Sequence, residues 1–449
     1  MRSVSGLRGI VGTDLTEDVV TRYAGAFGLF LRARGGKVVA VARDSRQSGP
    51  AFLAAASQAL AGAGLDVSDL GMVPTPTAQM AVEAGGLAGG IIVTASHNPV
   101  EWNALKFMGP GGRFLTKAEA TEFFGLVDGG TRLDPRGPEG RVTPDRGAVE
   151  RHLERLLSLP WLNVAAVRVR RFSVALDCVR GAGATVMPAL LERLGCRVCA
   201  ISLEPDGRFP REPEPIPEHL GELSALVRES KADIGVAVDP DVDRCALVDE
   251  TGAPIGEDYT LAFAARAVLT HKKGPVVCNL STSLVVDDAA SSFGCPVIRA
   301  PVGEANVVEV MTAQRAALGG EGNGGVILPD VHLGRDAPVA VALALALLAE
   351  TGRTVSAIVN GAPRYAIVKA KVARPAGSLE PWYAALKRRL PGAVEDRQDG
   401  MRLAQADRWI HCRPSGTEPV VRIIAEAPSR AEAEELVERG RRALEEAGR

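Results

Sequence analysis

The sequence predicts an α/β protein in which three segments of alternating strands and helices precede one α+β segment. Short apolar runs bounded by glycine alternate with helical patterns in the first three segments, although no repeat of individual residues is evident. Short strands and a charged C-terminal helix dominate the fourth. Strands that alternate with helices indicate parallel pairing in three-layer α/β domains. We therefore expect domains at residues 1–148, 149–251, 252–363 and 364–449.

The elements of the first segment are predicted from apolar runs and end signals. The helix at 50–63 begins with Pro50 and ends before Gly64, which are typical residues for those positions. Pro, Gly and charged residues make residues 131–146 a connector. The other predicted elements are strands at 37–42, 67–70 and 91–94 and a helix at 77–84.

The later segments continue the alternation and then change character. Five prolines within residues 204–217 predict an irregular loop. The apolar run 338–349 follows Asp336 and is too short to cross a bilayer, so it predicts a buried core helix with an Asp N-cap. The other predicted helices are 150–157, 184–194, 260–269, 283–293, 307–314, 382–390 and 431–447. The predicted strands are 172–176, 197–201, 234–238, 276–280, 297–300, 317–320, 326–328, 367–372, 401–403, 409–412 and 420–424.

Composition places the chain among ordinary soluble proteins. It has 449 residues, 46% hydrophobic and 24% charged, with a net charge of −2, which gives no sign of nucleic-acid or membrane partners. Residues 1–12 lack the apolar region of a signal peptide. The odd number of cysteines, seven, favours buried structural roles in a reducing cytoplasm. Cys196 and Cys199 form a C-x-x-C pair, but a second pair that would complete a zinc site is missing from the sequence.

The segment Thr94-Ala95-Ser96-His97-Asn98-Pro99 is the first of four loops that carry chemistry. Ser96 follows a buried strand, and open α/β sheets bind ligands at the carboxyl ends of their strands. A hydroxyl on a rigid turn suits a nucleophile or a phosphate carrier, while a helix cap or loop residue is the plain alternative. Lys106 lies in an apolar run, where it would shuttle a proton or hold phosphate unless it is a solvated loop lysine.

The second loop, residues 239–244, places three aspartates and an arginine after a predicted strand. Asp239, Asp241 and Asp243 repel one another unless a cation lies between them. Their hard oxygen ligands suit Mg²⁺, although a charged surface turn is the alternative. The EF-hand pattern is not matched, because the terminal Glu of its loop is missing.

The third and fourth loops predict sugar and phosphate contacts. Residues 319–325 read Gly-Gly-Glu-Gly-Asn-Gly-Gly, in which glycines allow close approach of a ligand and Glu321 can accept hydrogen bonds from two sugar hydroxyls. Residues 413–419, Arg-Pro-Ser-Gly-Thr-Glu-Pro, combine an arginine, hydroxyls and backbone N–H groups that suit a phosphate dianion. A flexible hairpin turn is the alternative for each.

Taken in this order, the four loops resemble those of the α-D-phosphohexomutase family, which includes phosphoglucomutase, phosphomannomutase and phosphoglucosamine mutase. The resemblance spans essentially the whole chain and rests most on T-A-S-H-N-P and R-P-S-G-T-E-P. Residues 5–9, Ser-Gly-Leu-Arg-Gly, look like a divergent opening motif that brings Arg8 to the active site. The versions G-E-G-N-G-G and E-W-N-A-L-K-F look most like an archaeal-type phosphoglucosamine mutase branch.

The resemblance implies four domains around a central cleft, three related α/β domains and a mobile α+β cap. It implies that Ser96 carries a phosphoryl group, that Mg²⁺ is the cofactor and that glucose 1,6-bisphosphate or an equivalent hexose bisphosphate is the activator. The phosphoryl group would pass to a sugar phosphate, and the bisphosphate formed would turn and return its other phosphate. The implied metal ligands are Ser96, Asp239, Asp241 and Asp243; the implied sugar and phosphate ligands are Glu321, Asn323, Arg413, Ser415, Gly416 and Thr417.

The remaining expectations concern catalysis and the alternatives. Lys106 is the candidate general acid/base, His97 is the second candidate, and Arg244 neutralises charge at the reacting end. Pro240 replaces the usual glycine of the metal loop. The alternatives are a sugar-phosphate phosphatase or phosphotransferase and a non-catalytic sugar-phosphate binding protein. The sequence leaves open the choice among glucose, mannose and glucosamine phosphates, and it fits a monomer or a homodimer.

Overall fold

The computed structural model describes residues 1–3, 6–130, 139–375, 377–415 and 419–447. Four sheets follow one another along this part of the chain, three in α/β units and the last antiparallel. The predicted fold class is confirmed. None of the helices in the described ranges combines the length and apolar character that a bilayer crossing requires.

The first sheet contains seven strands within the described residues, in the order β1-β2-β6-β5-β3-β4-β7. The strands are β1 (Arg2–Ser3), β2 (Gly6–Ile10), β3 (Val38–Arg43), β4 (Asp66–Met72), β5 (Gly90–Val93), β6 (Trp102–Met108) and β7 (Val142–Pro144). The helices of this unit are α1 (Glu17–Arg32), α2 (Gly49–Gly62), α3 (Thr75–Ala84) and α4 (Lys117–Asp128).

The parallel pairing expected of the predicted strands is confirmed, since β3 pairs in parallel with β4 and with β5, but two features of the first segment were not predicted. Only β3, β4, β5 and β7 pair in parallel, because β6 returns as a hairpin from β5 and β1 and β2 extend the sheet antiparallel to their neighbours. The predicted connector includes β7, which pairs with the outer edge of β4. Residues 131–138 of that connector lie outside the described residues. A short antiparallel return leaves too little chain for a crossover helix, so the alternation of strands and helices did not reveal it.

The second and third sheets each have four strands in the described residues. The strands of the second are β8 (Ser173–Asp177), β9 (Arg197–Ile201), β10 (Ile234–Val238) and β11 (Cys245–Val248), with helices α5 (Ala148–Leu157), α6 (Val164–Arg170), α7 (Met187–Arg193) and α8 (Gly221–Ser230). Those of the third are β12 (Val276–Asn279), β13 (Val297–Ala300), β14 (Leu318–Glu321) and β15 (Gly325–Ile327), with helices α9 (Asp258–His271), α10 (Val285–Ser291), α11 (Glu304–Gln314), α12 (Ala337–Thr351) and α13 (Val355–Asn360).

One four-stranded arrangement recurs in all three α/β units. The strand orders β6-β5-β3-β4, β11-β10-β8-β9 and β15-β14-β12-β13 are the same order, with three parallel strands and an antiparallel fourth. In each unit a short turn joins the third strand to the fourth. The three predicted chemical loops of this region are therefore equivalent turns, each at the carboxyl end of a third strand, where α/β sheets present ligand-binding residues.

The structure confirms the core helix predicted at residues 338–349, which is α12. The Asp336 carboxylate accepts a hydrogen bond from the Val339 N–H, which caps the helix. Its residues 337–348 are buried on all sides, against α9 and α6 among others. One other predicted helix, 184–194, is divided: residues 182–185 form a 3-10 turn, and α7 begins at Met187 with a proline in its first turn.

The last unit is an antiparallel sheet of five strands in the described residues, covered by two helices. The strands are β16 (Ala366–Ala373), β17 (Val394–Asp396), β18 (Met401–Ala404), β19 (Trp409–Pro414) and β20 (Val420–Ala427), and the helices are α14 (Glu380–Arg389) and α15 (Arg430–Ala447). It packs on the third unit through Glu426, whose buried carboxylate accepts hydrogen bonds from the Ser283 hydroxyl and the Leu284 N–H.

Candidate active site

Ser96 lies in the turn between β5 and β6, with a backbone φ of 49°. This left-handed conformation is uncommon for a residue with a side chain and marks a constrained turn. The Thr94 hydroxyl accepts a hydrogen bond from the Ser96 N–H at 2.9 Å. The Ser96 hydroxyl donates to the Asp239 carboxylate at 2.9 Å. The predicted nucleophile, in the first unit, therefore contacts the predicted metal loop, residues 239–244, in the second unit.

Asp239, Asp241 and Asp243 are buried, and one oxygen from each lies within 4.8 Å of the others. An Oδ1 atom of Asp239 accepts from the N–H groups of Asp243 and Arg244, which closes the loop on itself. Burial and the two neighbouring carboxylates hold the pKa of Asp239 well above its ordinary value. Three carboxylates at this spacing need positive charge between or beside them.

The donor set of this loop fits a hard divalent cation. The Oδ1 atoms of Asp241 and Asp243 are buried and have no hydrogen-bond partner in the described structure. An unpartnered buried carboxylate oxygen is costly unless a cation binds it. Oxygens grouped within 4.8 Å match the ligand separations of an octahedral Mg²⁺ site, where metal–oxygen bonds are about 2.1 Å.

Lys106 supplies positive charge to the same loop. Its ammonium group donates to Asp241 at 2.7 Å and lies 3.8 Å from Asp243. Burial lowers the pKa of Lys106, but the attraction of Asp241 and Asp243 outweighs it, so the pKa lies above its ordinary value. Burial likewise raises the pKa of Asp241, but Lys106, together with hydrogen bonds from Asp239 and Thr75, outweighs it and holds that pKa below its ordinary value. The lysine is thus a buried partner of the metal loop and not a solvated loop residue.

Two arginines and a histidine surround the serine turn. Arg244 donates to Glu214 at 2.8 Å and lies 3.7 Å from Asp243. Arg8, on β2, donates to the Asn98 side chain at 2.7 Å. The His97 ring lies 3.4 Å from the Ser96 hydroxyl. Repulsion by Arg244, together with burial, holds the pKa of His97 well below its ordinary value, so the imidazole is neutral.

Glu321, at the end of β14, is joined to the metal loop by Arg335. The Arg335 guanidinium donates to Glu321 at 2.6 Å, to Glu304 at 3.0 Å and to Asp243. Asn279 and the Gly303 N–H donate to the other Glu321 oxygen, each at 2.9 Å. Burial raises the pKa of Glu321, but Arg335 and the hydrogen bonds from Asn279 and Gly303 together outweigh it and hold the pKa below its ordinary value. Glu321 is therefore an ionised carboxylate fixed beside the metal loop.

The glycines of the third loop let its backbone pack closely against the protein's own atoms. A Cβ at Gly322 would lie 2.2 Å from the Asp258 carboxylate, and one at Gly324 would lie 2.3 Å from the Cys245 carbonyl oxygen. A Cβ at Gly325 would lie 2.3 Å from the Arg335 side chain. Asn323 accepts a hydrogen bond from the Gly325 N–H at 3.2 Å and is partly exposed.

The fourth loop is only partly described. Arg413 lies 2.9 Å from Asp399, which also accepts from the Val302 N–H of the third unit at 3.2 Å. The Ser415 N–H donates to the Val420 carbonyl at 2.8 Å. Gly416 and Thr417 lie outside the described residues. The contacts of the described residues bring Arg413 to the third unit and do not link it to Ser96.

Sequence reasoning missed two buried arginines, Arg46 and Arg335. Arg46 follows β3 in Asp44-Ser45-Arg46, and Arg335 precedes the cap of α12, so each occupies an element end like the residues that were identified. That position was the available signal. The contacts that tie them to the serine turn and the aspartate loop join distant segments: the Ser96 carbonyl lies 50 residues from Arg46, and Asp243 lies 92 residues from Arg335, which the local pattern does not reveal.

A second group of buried side chains joins three units. The Nε2 atoms of His152 and His332 lie 2.7 and 2.9 Å from the same Asp336 oxygen, and His152 also contacts the Thr77 hydroxyl at 2.9 Å. Two ligands of one zinc ion lie about 3.3 Å apart when the bonds are about 2.0 Å. These distances are those of hydrogen bonds, and the group is a structural junction at the start of α12.

The site as a whole suits transfer of a phosphoryl group. It holds a hydroxyl on a rigid turn, a carboxylate cluster for a cation, and buried cations beside both. Phosphoryl transfer depends mainly on such positioning and charge neutralisation. A fixed carboxylate beside the reacting end offers a ligand for sugar hydroxyls.

Comparison with family models covers nearly the whole chain. The models described as phosphoglucomutase/phosphomannomutase, alpha/beta/alpha domains I, II and III, match residues 2–130, 150–252 and 256–365. The model for the C-terminal domain of the same family matches residues 367–443.

Individual relatives agree with this result. A probable phosphoglucosamine mutase of Methanopyrus kandleri is 38% identical over 96% of this chain and 95% of its own. A phosphoglucomutase/phosphomannomutase of Thermococcus kodakarensis is 36% identical over 98% of each. A phosphoglucomutase/phosphomannomutase family protein from Burkholderia thailandensis, solved by crystallography, matches with a TM-score of 0.86 and 28% identity, over 100% of this chain and 98% of that one.

Proposed function

The chain belongs to the phosphoglucomutase/phosphomannomutase family, and we propose that it interconverts hexose 6-phosphates and hexose 1-phosphates with Ser96 as the phosphoryl carrier. The observation that carries this proposal is the hydrogen bond of 2.9 Å between the Ser96 hydroxyl and Asp239 of the metal loop. It sets the hydroxyl beside the one carboxylate cluster that the described residues offer for a hard cation at this turn. The cytoplasmic location expected from the sequence stays a prediction.

The residues of this chain have distinct proposed roles. Asp239, Asp241 and Asp243 would hold Mg²⁺, which neutralises charge on a transferring phosphoryl group when it is bound. Lys106 holds or moves a proton at the sugar hydroxyl that attacks or leaves. Arg244 screens the phosphoryl oxygens.

Substrate positioning falls to the other loops. Glu321 accepts hydrogen bonds from sugar hydroxyls and is kept ionised by Arg335. Arg413 and Ser415 belong to the loop that we propose for the phosphate that does not react. We further propose that the bisphosphate formed at Ser96 turns within the cleft and returns its other phosphate, which needs a cap unit that admits both orientations.

Replacement of the serine tests the proposal directly. Ser96→Ala removes the hydroxyl that accepts the phosphoryl group, so turnover is expected to fall by more than about 10³-fold. A mass spectrum after incubation with glucose 1,6-bisphosphate is expected to show one added phosphoryl group on the wild type and none on the variant. Ser57→Ala is the matched control and should behave as wild type, because Ser57 is a buried serine of α2 whose hydroxyl, among the described residues, bonds only to the Leu53 carbonyl of its own helix.

The substrate class follows from the same assay with three substrates. The relative from Methanopyrus kandleri is named a probable phosphoglucosamine mutase, and we propose glucosamine phosphate as the preferred substrate on that basis. The kcat/KM values for glucosamine, glucose and mannose 6-phosphates measure the preference. Steady release of inorganic phosphate without isomerisation would instead identify a phosphatase.

A further inference from the structure

Arg46 is a buried arginine whose guanidinium is completely enclosed by acceptors. Its Nε donates to Asp44 at 3.1 Å. Its Nη1 donates to the carbonyls of Pro99 and Trp102 at 2.7 and 2.8 Å, and its Nη2 donates to those of Ser96 and Asn98, both at 2.6 Å. The five donors of a guanidinium thus have five acceptors, of which three are carbonyls of the turn between β5 and β6 and one is the carbonyl of Trp102 at the start of β6.

The backbone conformation of the Ser96 turn depends on Arg46 and its partner Asp44. Asp44 accepts from the Thr94 hydroxyl at 2.7 Å, and that hydroxyl in turn accepts from the Ser96 N–H. Arg46 and Asp44 therefore hold the turn from its carbonyl side and its N–H side, respectively. A serine with a φ of 49° needs such support, because that conformation is unfavourable for a residue with a side chain.

The second unit in turn holds Arg46. We use the name strap for residues 204–217, the proline-rich loop after β9. The Phe209 ring lies 5.0 Å from the Arg46 guanidinium, within the range of a cation–π contact. A Cβ at Gly207 would lie 2.5 Å from the Ser45 carbonyl oxygen, so the strap approaches this backbone as closely as glycine allows. Glu214, near the other end of the strap, binds Arg244 at 2.8 Å.

From this arrangement we propose that Arg46 is a positioning residue for phosphoryl transfer, and that the strap of the second unit acts through it. Arg46 fixes the turn that carries the Ser96 hydroxyl, and Phe209 fixes Arg46. The strap also binds Arg244 through Glu214. A single loop of the second unit therefore determines the positions of both the Ser96 turn and the Arg244 side chain. The inference rests on the proposed role of Ser96.

Lysine at position 46 provides the sharpest test. Arg46→Lys keeps the charge but supplies three donors from one atom, so it cannot hold four carbonyls and Asp44 together. A displacement of about 1 Å at a reacting group costs about 10²-fold in rate. We expect kcat, and the rate of phosphoryl uptake from glucose 1,6-bisphosphate, to fall by about that factor with KM nearly unchanged. The ³¹P resonance of phosphorylated Ser96 should shift.

A matched control separates this role from a general effect of the substitution. Arg34 also lies over a phenylalanine ring, at 3.7 Å from Phe30, and donates to a main-chain carbonyl, but its described contacts involve no residue of the site. Arg34→Lys is expected to leave kcat and the ³¹P resonance unchanged. If Arg46→Lys lowers only the thermal midpoint and keeps wild-type kcat and resonance, its role is merely structural and the proposal is wrong.

A substitution of Phe209 tests the contribution of the strap, and it also tests the proposal if the Arg46 variant does not fold. Phe209→Ala removes one cation–π contact and is expected to lower kcat by about 2- to 5-fold. In the double variant with Arg46→Lys, kcat should equal that of Arg46→Lys alone, because both act on the same turn. Multiplicative effects, or an unchanged kcat in Phe209→Ala, would contradict the role of the strap. A wild type that takes up no phosphoryl group would refute the proposed function instead.

Discussion

Single buried cations determine how the candidate site is organised. The one guanidinium of Arg335 binds three carboxylates, those of Asp243 in the metal loop, Glu321 and Glu304. Glu304 also accepts a hydrogen bond from the Gln79 side chain at 2.9 Å. Burial lowers the pKa of Arg335, but the three carboxylates outweigh it and raise that pKa well above its ordinary value. Its charge is therefore permanent, and the loops for metal and sugar share one counter-ion.

Replacing this shared counter-ion should affect stability and catalysis together. Arg335→Lys cannot reach three carboxylates, so at least one buried charge loses its partner, and the free energy of unfolding is expected to fall by about 3 kcal/mol. The value of kcat/KM should also fall, because Asp243 and Glu321 lose their common support. Urea unfolding and steady-state kinetics measure the two effects.

An exposed ion pair provides the comparison for Arg335. Arg388 binds Glu446 at 2.8 Å with both side chains largely exposed. Arg388→Lys is expected to change the free energy of unfolding by less than about 1 kcal/mol. Equal losses in the two variants would show that burial does not govern the Arg335 contacts.

At the scale of elements, the three α/β units show one topology that individual residues did not reveal. The strands β9, β10 and β13 have the bounds that the sequence predicted, because each is a short apolar run between turn residues. The predicted elements did not include α1. Its glycines lower the apparent helix propensity, yet a Cβ at Gly28 would lie 2.5 Å from Ala63, so close packing against the end of α2 requires the glycine.

Several of the site residues that the sequence predicted lie in the three equivalent turns. Ser96, the three aspartates and Glu321 each lie at the end of a third strand, and a residue type at a strand end is visible in the sequence. The partners that fix them, Arg46 and Arg335, act through contacts between distant segments. The sequence therefore predicted the chemical groups but not the residues that position them.

The glycine turn of the third unit should be intolerant of side chains. Gly324 has a φ of 86°, and a Cβ there would meet the Cys245 carbonyl oxygen at 2.3 Å. Gly294 has a φ of 70° but open space around it. Gly324→Ala is expected to lower the free energy of unfolding by about 1–3 kcal/mol more than Gly294→Ala, because both share the backbone strain and only one has the clash. Urea unfolding of both variants measures the difference, and equal losses would contradict the close approach.

At the scale of the whole molecule, the last unit is held to the third by buried polar contacts. The Ser281 hydroxyl lies 2.8 Å from His411, whose other ring nitrogen lies 2.7 Å from the Asp399 carbonyl. Burial lowers the pKa of His411 to about 4. The ring is therefore neutral in the docked state, although a solvated histidine has a pKa of about 6.5.

This histidine predicts how docking depends on pH. Between about pH 6.5 and 4, an undocked or unfolded His411 binds a proton that the docked form does not, so stability falls as the pH falls through that window. The full effect, reached near pH 4, is about 3 kcal/mol, of which about 2 kcal/mol is expected at about pH 5. Thermal midpoints and proteolysis of the segment between the two units, compared at about pH 7.5 and about pH 5, measure it.

A glutamine separates the histidine from other titrating groups. His411→Gln retains a donor and an acceptor but cannot be charged in this range, so the change in midpoint between the two pH values should be smaller than in the wild type. An identical change in both proteins would assign the pH dependence to other groups.

The outer strand of the first sheet bears on how the chain can be dissected. β7 pairs with β4, yet it lies beyond residue 130, where the match to the first family model ends. A recombinant fragment cut at that match would leave the β4 edge open to pairing with other molecules, and edge strands of this kind promote aggregation. A fragment intended to behave as an autonomous unit has to continue through Pro144, so homology boundaries are a poor guide to where this polypeptide can be divided.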